Sequence, residues 1–195
     1  MRRLGILGGT FDPIHCGHVL LAQFVCEQIP LDEVLFIPAA DPPHKGATDE
    51  RAPAEDRWAM VELAIEGMPT FGASRLELER PGKSYTFDTL RQLHAQYAGG
   101  EFYLIIGADN VAQLHTWHRP EGILDLCTIV AGSRLTAAAG LEAALAERIV
   151  VVDTPVVQFS STKIRRRLAQ GKPIRYMVPE KVEAYIREKG LYSTP

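Results

Sequence analysis

The sequence predicts an α/β protein: a Rossmann-like, doubly wound parallel sheet with a small C-terminal helical segment. Two observations predict this fold class. Segments with strand character and segments with helix character alternate along the 195 residues, and the runs "EFYLIIG" and "RIVVVD" are almost wholly apolar and rich in β-branched or aromatic residues. Apolar runs of this kind are typical of parallel strands buried on both faces. Alternation of strands and helices is typical of right-handed crossovers between parallel strands.

The apolar patterns predict six strands and six helices. The strands are expected at residues 4–7, 34–37, 75–78, 102–106, 128–130 and 149–152. The helices are expected at residues 17–28, 54–66, 86–97, 141–147, 162–170 and 179–189.

The last forty residues carry two predicted helices with no strand between them. The final helix begins at Pro179, places Val182, Tyr185 and Ile186 on one face, and ends at Gly190. This is the pattern of a capped amphipathic helix that covers a sheet. We expect residues 1–159 to form the Rossmann-like core. Residues 160–195 are expected to form a helical segment that packs on the core and completes its ligand-binding site.

Composition and charge exclude several classes of protein. No apolar run approaches the roughly 20 residues that span a bilayer, and the first nine residues are too short for a signal peptide. Three cysteines without C-x-x-C spacing argue against a disulfide framework and against a zinc site, so we expect a cytoplasmic protein. The net charge is −3, yet residues 160–195 carry nine Lys or Arg against three Glu, which indicates a phosphate ligand, a nucleic acid or a solvated helix face.

The first strand-to-helix junction, "GGTFDPIHCGH", is the strongest functional signal. Gly8 and Gly9 allow a ligand to approach the backbone, and the following helix offers unpaired N–H groups to an anion. His15 and His18, three residues apart, are expected on one face of the first helical turn, aimed at that anion. The spacings of the dinucleotide fingerprint and of the P-loop are absent. A zinc pair would need a third ligand, which is not found nearby, and a purely structural capping role stays open.

Three further loops follow predicted strands, where ligands bind in such folds. The Pro-rich loop "IPAADPPHKG" carries His44 and Lys45 toward phosphate, unless it is a solvated surface loop. Thr86 in "SYTFDTL" opens a helix whose N-terminus can hold a carboxylate or phosphate, although ordinary capping by Ser84 or Thr86 is an alternative. Asp109 in "LIIGADN" suits a ribose hydroxyl or a phosphate-bound metal, and it can also cap the next helix.

The segment "FSSTKIRRRL" predicts a second anion site. Ser160, Ser161 and Thr162 stand at a helix start with hydroxyl and N–H groups, and Arg165 follows one turn later. This arrangement suits a triphosphate whose charge increases as pyrophosphate leaves. Trp117 lies in the polar loop "HTWHRP", where it has little core to join, so either ligand stacking or structural burial would explain it.

Taken together, these motifs resemble the T/H-x-G-H nucleotidyltransferase superfamily, and closely the bacterial nicotinate-nucleotide adenylyltransferases. The resemblance rests on "GGTFDPIHCGH", "PPHK", "SYTFDTL", "GADN", Trp117 and "FSSTKIRRRL". It implies transfer of AMP from ATP to nicotinate mononucleotide, giving deamido-NAD and pyrophosphate. The run "IVAGSRLTAAAGL" departs from the Arg-Pro-Gly-like turn of the family, so no role is assigned to Arg134.

Residue patterns and resemblance together predict the site. The catalytic residues are His15 and His18. The ATP-binding residues are Gly8, Gly9, Thr10, Phe11, His15, His18, Gly107, Asp109, Ser161, Thr162 and Arg165. The residues on the side of nicotinate mononucleotide are His44, Lys45, Thr86 and Trp117, of which the resemblance places Thr86 beside the nicotinate carboxylate and Trp117 against its ring.

The chemistry implied needs no enzyme nucleophile, because the attacking group is the ionised phosphate of the mononucleotide. Catalysis then depends on positioning and charge stabilisation. We expect His18 to bind the α-phosphate, His15 to orient phosphates, and Lys45 and Arg165 to hold the outer phosphates. Mg²⁺ is expected as a cofactor bound mainly through the ATP phosphates, since no acidic cluster suggests a protein cage, and no protein residue is predicted as a metal ligand.

Several alternatives stay open at this level. The acceptor of the AMP group can instead be nicotinamide mononucleotide or phosphopantetheine. A non-catalytic protein that binds a nucleotide is another class, and a nucleic-acid-binding protein is a third, although aromatic residues among the C-terminal basic residues are few. We expect the partners to be small molecules, with neither nucleic acid nor membrane, and the sequence leaves open whether the chain forms a homo-oligomer.

Overall fold

The computed structural model describes residues 1–43, 51–132, 148–155 and 157–193, except for the side chains at positions 108 and 109. Within these ranges the fold is a six-stranded sheet with the strand order β3-β2-β1-β4-β5-β6, in which every pair of neighbouring strands is parallel. The strands are β1 (Arg3–Gly9), β2 (Glu33–Pro38), β3 (Phe71–Ala73), β4 (Glu101–Ile106), β5 (Thr128–Gly132) and β6 (Ile149–Val152). The predicted Rossmann-like fold class is therefore confirmed.

Helices connect the strands. Those of the described residues are α1 (Cys16–Gln28), α2 (Ala54–Ile65), α3 (Thr86–Gln96), α4 (Ala108–Val111), α5 (Pro120–Leu126), α6 (Ser161–Ala169) and α7 (Glu180–Lys189), with a 3₁₀ turn at Leu114–Thr116. Five of the six predicted helices are found within one residue of their predicted ends, and the sixth, at 141–147, lies outside the described residues. The short helices α4 and α5 were not predicted. Helix α5 begins with Pro120 at its first position, a residue that suits a helix start because it has no N–H to leave unpaired.

The predicted strand at 75–78 is wrong. The third strand is Phe71–Ala73, and the amide of Glu79 donates to the carbonyl of Arg75, closing a turn instead. The alternation of apolar and charged residues in "RLELE" imitates a half-buried strand. In the structure, however, both Leu76 and Glu77 are buried, so the alternation does not mark two faces of a strand.

Two apolar clusters cover the two faces of the sheet. One contains Ala22 and Val25 from α1 and Met60 and Val61 from α2, and the other contains Leu90 and Leu93 from α3 with Ile123 from α5. Strand β1 contributes Leu7 to the first cluster and Ile6 to the second. This division explains why the central strands read as continuous apolar runs.

The C-terminal helices belong to the first cluster. Its buried members from this part of the chain are Ile164, Ile174, Val178, Val182 and Ile186. Two polar contacts also join α7 to α2: Lys181 pairs with Glu66 at 2.5 Å, and the Tyr185 hydroxyl donates to Asp56 at 2.8 Å. The described part of 160–195 thus packs against the same side of the sheet as α1 and α2, while the division at residue 159 stays a prediction. None of the helices in the described ranges has the length and apolar character needed to cross a bilayer.

Candidate active site

A cavity of about 610 Å³ opens at the carboxyl ends of the strands. The ends of β1, β2, β4 and β5 all reach it, through Gly9, Ile37, Ile106 and Gly132. Ligands of open α/β sheets bind at this edge, because the loops and helix N-termini converge there. Most of the predicted site residues that the structure describes line this cavity: Gly8, Gly9, Thr10, Phe11, His15, His18, Thr86, Gly107, Trp117, Ser161 and Thr162.

The two glycines that end β1 have different roles. A Cβ added to Gly8 would meet no atom within 4 Å, so the backbone there is open to a ligand. A Cβ added to Gly9 would lie 2.9 Å from the ring of Phe11, so Gly9 makes room for that ring, and its role in binding ATP stays a prediction. Phe11 is 1% exposed, and its ring contacts the His18 ring edge-on with centroids 5.1 Å apart. Phe11 therefore packs against the His18 ring and helps to hold it in place.

His15 and His18 form a stacked pair at the start of α1. Their ring centroids are 3.6 Å apart and their planes differ by 16°. Gly17 permits this stacking, since a Cβ there would lie 3.1 Å from the His15 ring. The backbone N–H of His15 donates to Nδ1 of His18 at 3.2 Å. Because that nitrogen accepts a hydrogen bond, neutral His18 carries its proton on Nε2, where it is a donor.

Both imidazoles are neutral in this structure at physiological pH. Burial lowers the pKa of His15 to about 4. Burial also holds the pKa of His18 well below its ordinary value, and the neighbouring His15 lowers it further. The Nδ1 atom of His15 is buried with no hydrogen-bond partner among the described residues. An anion in the cavity would favour the charged forms and raise both pKa values, since opposite charges stabilise each other.

The N-terminus of α6 faces the segment that joins β1 to α1, residues 10–15, which we call the histidine loop. Ser160 caps the helix by accepting a hydrogen bond from the Lys163 amide at 3.2 Å, and Ser161 donates to the carbonyl of Pro13 at 2.9 Å. Thr162 lines the cavity and is exposed. This end of α6 therefore presents N–H and hydroxyl groups beside the imidazoles, an arrangement that binds anions.

Arg165 lies one turn further along α6 and contacts Asp12 rather than the cavity wall. Its Nη1 donates to the Asp12 carbonyl at 2.8 Å and lies 3.4 Å from the Asp12 carboxylate. A role for Arg165 in binding ATP stays a prediction. The same holds for His44 and Lys45 and for the side chain of Asp109, which lie outside the described residues, as does Arg134.

The opposite end of the cavity is formed by the start of α3 and the loop at Trp117. Helix α3 has no side-chain cap: Ser84 instead accepts hydrogen bonds from the amides of Ala40 and Asp41, at 3.0 and 3.3 Å. The capping alternative for Ser84 is therefore wrong, and Thr86 occupies the first helical position beside the cavity. Trp117 lines the cavity and also packs against the second apolar cluster, so it has a structural role, while its stacking on a ligand stays a prediction.

Glu77 and His118 are among the lining residues that the sequence analysis missed. Glu77 is 7% exposed and accepts a hydrogen bond from Thr89 at 2.6 Å, and its burial raises its pKa. Glu77 was not predicted as a site residue because it falls in the segment wrongly predicted as a strand. His118 follows Trp117, and its ring lies against Tyr85 with centroids 4.4 Å apart. A polar side chain next to a predicted ligand-stacking tryptophan was the available signal.

The donors in the cavity suit anions rather than a bare cation. Within the described parts of the chain, no three His, Cys, Asp or Glu side chains are grouped so that they could hold a metal ion. The polar groups that line the cavity near α1 and α6 are backbone amides, hydroxyls and imidazoles instead. Fold and site together define the class: a Rossmann-like α/β protein whose cavity opens between the N-termini of α1 and α6, an arrangement typical of nucleotide-binding proteins.

Comparison with known proteins narrows this class. Residues 6–167 match the model of the cytidylyltransferase-like family. A probable nicotinate-nucleotide adenylyltransferase of Geobacillus thermodenitrificans is 44% identical over 98% of this chain and 87% of its own. Another, of Halalkalibacterium halodurans, is 46% identical over 100% of this chain and 93% of its own. The chain therefore belongs to the cytidylyltransferase-like family, among the nicotinate-nucleotide adenylyltransferases.

Solved structures share the fold. The Plasmodium falciparum nicotinic acid mononucleotide adenylyltransferase complexed with NaAD aligns with a TM-score of 0.82 at 17% identity, over 98% of both chains. A putative nicotinate-nucleotide adenylyltransferase of Vibrio parahaemolyticus aligns with a TM-score of 0.73 at 21% identity, over 100% of this chain and 98% of its own. At these identities the likeness establishes the architecture.

Proposed function

We propose that this protein transfers the AMP group of ATP to nicotinate mononucleotide, giving deamido-NAD and pyrophosphate. One observation supports the proposal above all: a single cavity has two ends that differ in chemistry. The stacked histidines and the start of α6 form an end suited to phosphates, and Thr86 with Trp117 forms an end suited to a flat ring that bears a carboxylate. Family membership at 41–46% identity supports the same activity.

The phosphate end supports charge stabilisation without an enzyme nucleophile. The mononucleotide phosphate is already ionised at neutral pH, so it attacks the α-phosphorus of ATP directly, and the bond to pyrophosphate breaks. His18 donates from Nε2 to the α-phosphate, with its orientation fixed by the hydrogen bond that Nδ1 accepts from the His15 amide. Bound phosphates raise the pKa of His15, whose Nδ1 has no hydrogen-bond partner among the described residues, so a protonated His15 adds positive charge beside the transferring group. His18 stays neutral, because its Nδ1 accepts the His15 N–H.

The acceptor end supports recognition of the acid. Uncapped N–H groups in the first turn of α3 carry a partial positive charge, which favours a carboxylate over a neutral carboxamide. The indole of Trp117 offers a face on which the pyridine ring stacks. Preference for the acid thus rests on a helix N-terminus and an aromatic surface.

We also propose that Mg²⁺ enters the site on the ATP phosphates. The ion supplies charge neutralisation of the triphosphate when bound. The residues of this chain then position the nucleotide through amide, hydroxyl and imidazole donors, and no protein ligand is assigned to the ion. A cytoplasmic location is part of the same proposal, because the free thiols of Cys16, Cys26 and Cys127 suit a reducing compartment.

The test is pyrophosphate release from ATP and Mg²⁺ with a panel of acceptors. Nicotinate mononucleotide, nicotinamide mononucleotide and phosphopantetheine are compared at equal concentration, and the product is identified by mass. We expect deamido-NAD, with kcat/KM for the acid at least about tenfold above that for the amide, the effect of one charged hydrogen bond. Equal values for acid and amide would contradict the acceptor assignment, and release with phosphopantetheine in preference to both would replace it.

A further inference from the structure

The carboxylate of Asp12 is the centre of a buried polar cluster behind the histidine loop. Asp12 is 1% exposed. Its Oδ1 atom accepts two hydrogen bonds, from the Tyr192 hydroxyl at 2.7 Å and from the Ala52 amide at 3.0 Å. Its Oδ2 atom has no hydrogen-bond partner among the described residues and lies 3.4 Å from Nη1 of Arg165. That carboxylate is therefore held firmly at one oxygen and faces a cation with the other.

The partners of Asp12 come from distant parts of the chain. Ala52 precedes α2, Arg165 lies on α6, and Tyr192 follows α7. Arg57 adds to the same junction, donating from Nη1 to the carbonyl of Thr10 at 2.8 Å and to that of Ala39 at 2.7 Å. The loops after β1 and β2 are thus joined to each other and to the C-terminal helices at this one place.

The backbone around Tyr192 holds its hydroxyl in position. Helix α7 ends at Gly190 in the left-handed conformation, and the amide of Leu191 donates to the carbonyl of Ile186 at 3.0 Å. Tyr192 itself has φ of +62°, a conformation that L-residues rarely adopt and that surrounding contacts must maintain. Burial and the charge of Asp12 raise the pKa of Tyr192, which favours the protonated hydroxyl that donates to Asp12.

We propose that Tyr192 is a positioning residue for ATP: its hydroxyl fixes the Asp12 carboxylate, and Asp12 in turn holds Arg165 beside the histidine loop. Arginine has five N–H donors in a rigid plane. Nη1 of Arg165 donates to the main-chain carbonyl of Asp12 at 2.8 Å and forms an ion pair with its Oδ2 at 3.4 Å. Because Nη1 is held at Asp12 in both ways, the position of the Asp12 carboxylate influences where the remaining donors of Arg165 point. The inference rests on the proposed function in taking ATP as the ligand whose phosphates Arg165 meets.

The experiment compares two tyrosines of the same segment, each of which donates to a buried or half-buried aspartate. Tyr192→Phe removes the hydroxyl that contacts Asp12, and Tyr185→Phe removes a hydroxyl that contacts Asp56 on α2, at nearly the same distance. We expect the Kd for MgATP to rise about tenfold in Tyr192→Phe, as if Arg165 lost one charged hydrogen bond to the phosphates, and to change less than about twofold in Tyr185→Phe. Thermal unfolding of both variants reports any general loss of stability.

A second background shows whether the effect passes through the arginine. In Arg165→Met, the further change Tyr192→Phe is expected to leave the Kd for MgATP unchanged, because the group it positions is gone. Equal effects of the two tyrosine variants, or an undiminished effect of Tyr192→Phe in the Arg165→Met background, would overturn the inference. These measurements use ATP without an acceptor. A wild-type protein that binds ATP but yields no deamido-NAD would therefore refute the proposed function, while the tyrosine variants would still test the role of Tyr192. A wild-type protein that does not bind ATP would refute both.

Discussion

The backbone amide of His15 donates to Nδ1 of His18, while the two imidazole rings stack 3.6 Å apart. One residue therefore orients the other in two ways, by its backbone and by its ring. The backbone contact can survive replacement of the His15 side chain by any residue except proline, which has no backbone N–H, whereas the ring contact cannot. This difference separates the roles of the two histidines and makes them experimentally distinguishable.

Replacing His18 by Ala is expected to lower kcat by about 10²–10³-fold, the usual cost of removing one preorganised donor from a transition state. His15→Ala is expected to cost less, because the His15 amide still fixes the Nδ1 acceptor of His18. Steady-state pyrophosphate release measures both. His115, exposed on the 3₁₀ turn, provides the matched histidine control, since His115→Ala removes an imidazole away from the cavity. Near-normal turnover in His18→Ala would refute the assignment.

The lowered pKa values of the pair predict a loss of stability in mild acid. A histidine whose folded pKa lies below its unfolded value binds fewer protons when folded, so stability is complete above the unfolded pKa of about 6.5 and falls as the pH drops toward the folded pKa. For His15, with a pKa of about 4, the expected loss between pH 7 and pH 5 is about 2 kcal/mol. Urea unfolding at the two pH values measures it.

His15→Gln provides the control for that loss, because glutamine keeps a polar side chain but does not titrate. The variant is expected to lose less stability than the wild type between pH 7 and pH 5. An equal loss in both proteins would show that other groups are responsible. Saturating MgATP is expected to reduce the loss in the wild type, because a bound anion raises the pKa of the imidazoles toward the unfolded value.

Much of the fold could be predicted because its signals are local. Strand β4 is a continuous apolar run because both faces of the sheet are covered, and the sequence reveals this directly. Strand β3 was misplaced because "FGA" is short, pairs only with β2 among the described strands, and offers one large apolar residue. The neighbouring segment "RLELE" has a stronger alternation that belongs to a turn. The strength of the alternating pattern therefore does not locate the strand where the strand is short and lies at a sheet edge.

The site could be predicted in part for a similar reason. Gly8, His15 and His18 lie at one strand-to-helix junction, so their proximity follows from sequence spacing. The contact between Asp12 and Tyr192 joins residues 180 positions apart, and no pattern in either segment announces it. The stacking of the two imidazoles also depends on the Phe11 ring, which contacts His18, and on the absence of a side chain at Gly17. Such relations are produced by tertiary packing, which composition and periodicity do not encode.

Trp117 is expected to report acceptor binding by fluorescence. The chain has two tryptophans, and the other, Trp58, stacks with Arg75 at 5.0 Å and does not line the cavity. In a Trp58→Phe variant, nicotinate mononucleotide should quench the remaining indole emission as the electron-poor ring stacks on it. Titration gives the Kd directly. A binding event seen by calorimetry but silent in this emission would show that the ring lies elsewhere.

Thr86→Asp is expected to separate substrate recognition from folding. A carboxylate in the first turn of α3 interacts favourably with the helix dipole, so stability should stay the same or rise by about 0.3–1 kcal/mol. The same carboxylate would repel the carboxylate of nicotinate mononucleotide and should raise its KM by tenfold or more, by about the magnitude of one lost charged hydrogen bond. Nicotinamide mononucleotide, which has no carboxylate on its ring, should be affected less. Asp88 lies in the same turn but does not line the cavity, so Asp88→Asn serves as the control. It removes a negative charge from the helix start without changing a lining residue. If Thr86→Asp raises KM equally for acid and amide, the start of α3 does not read the carboxylate.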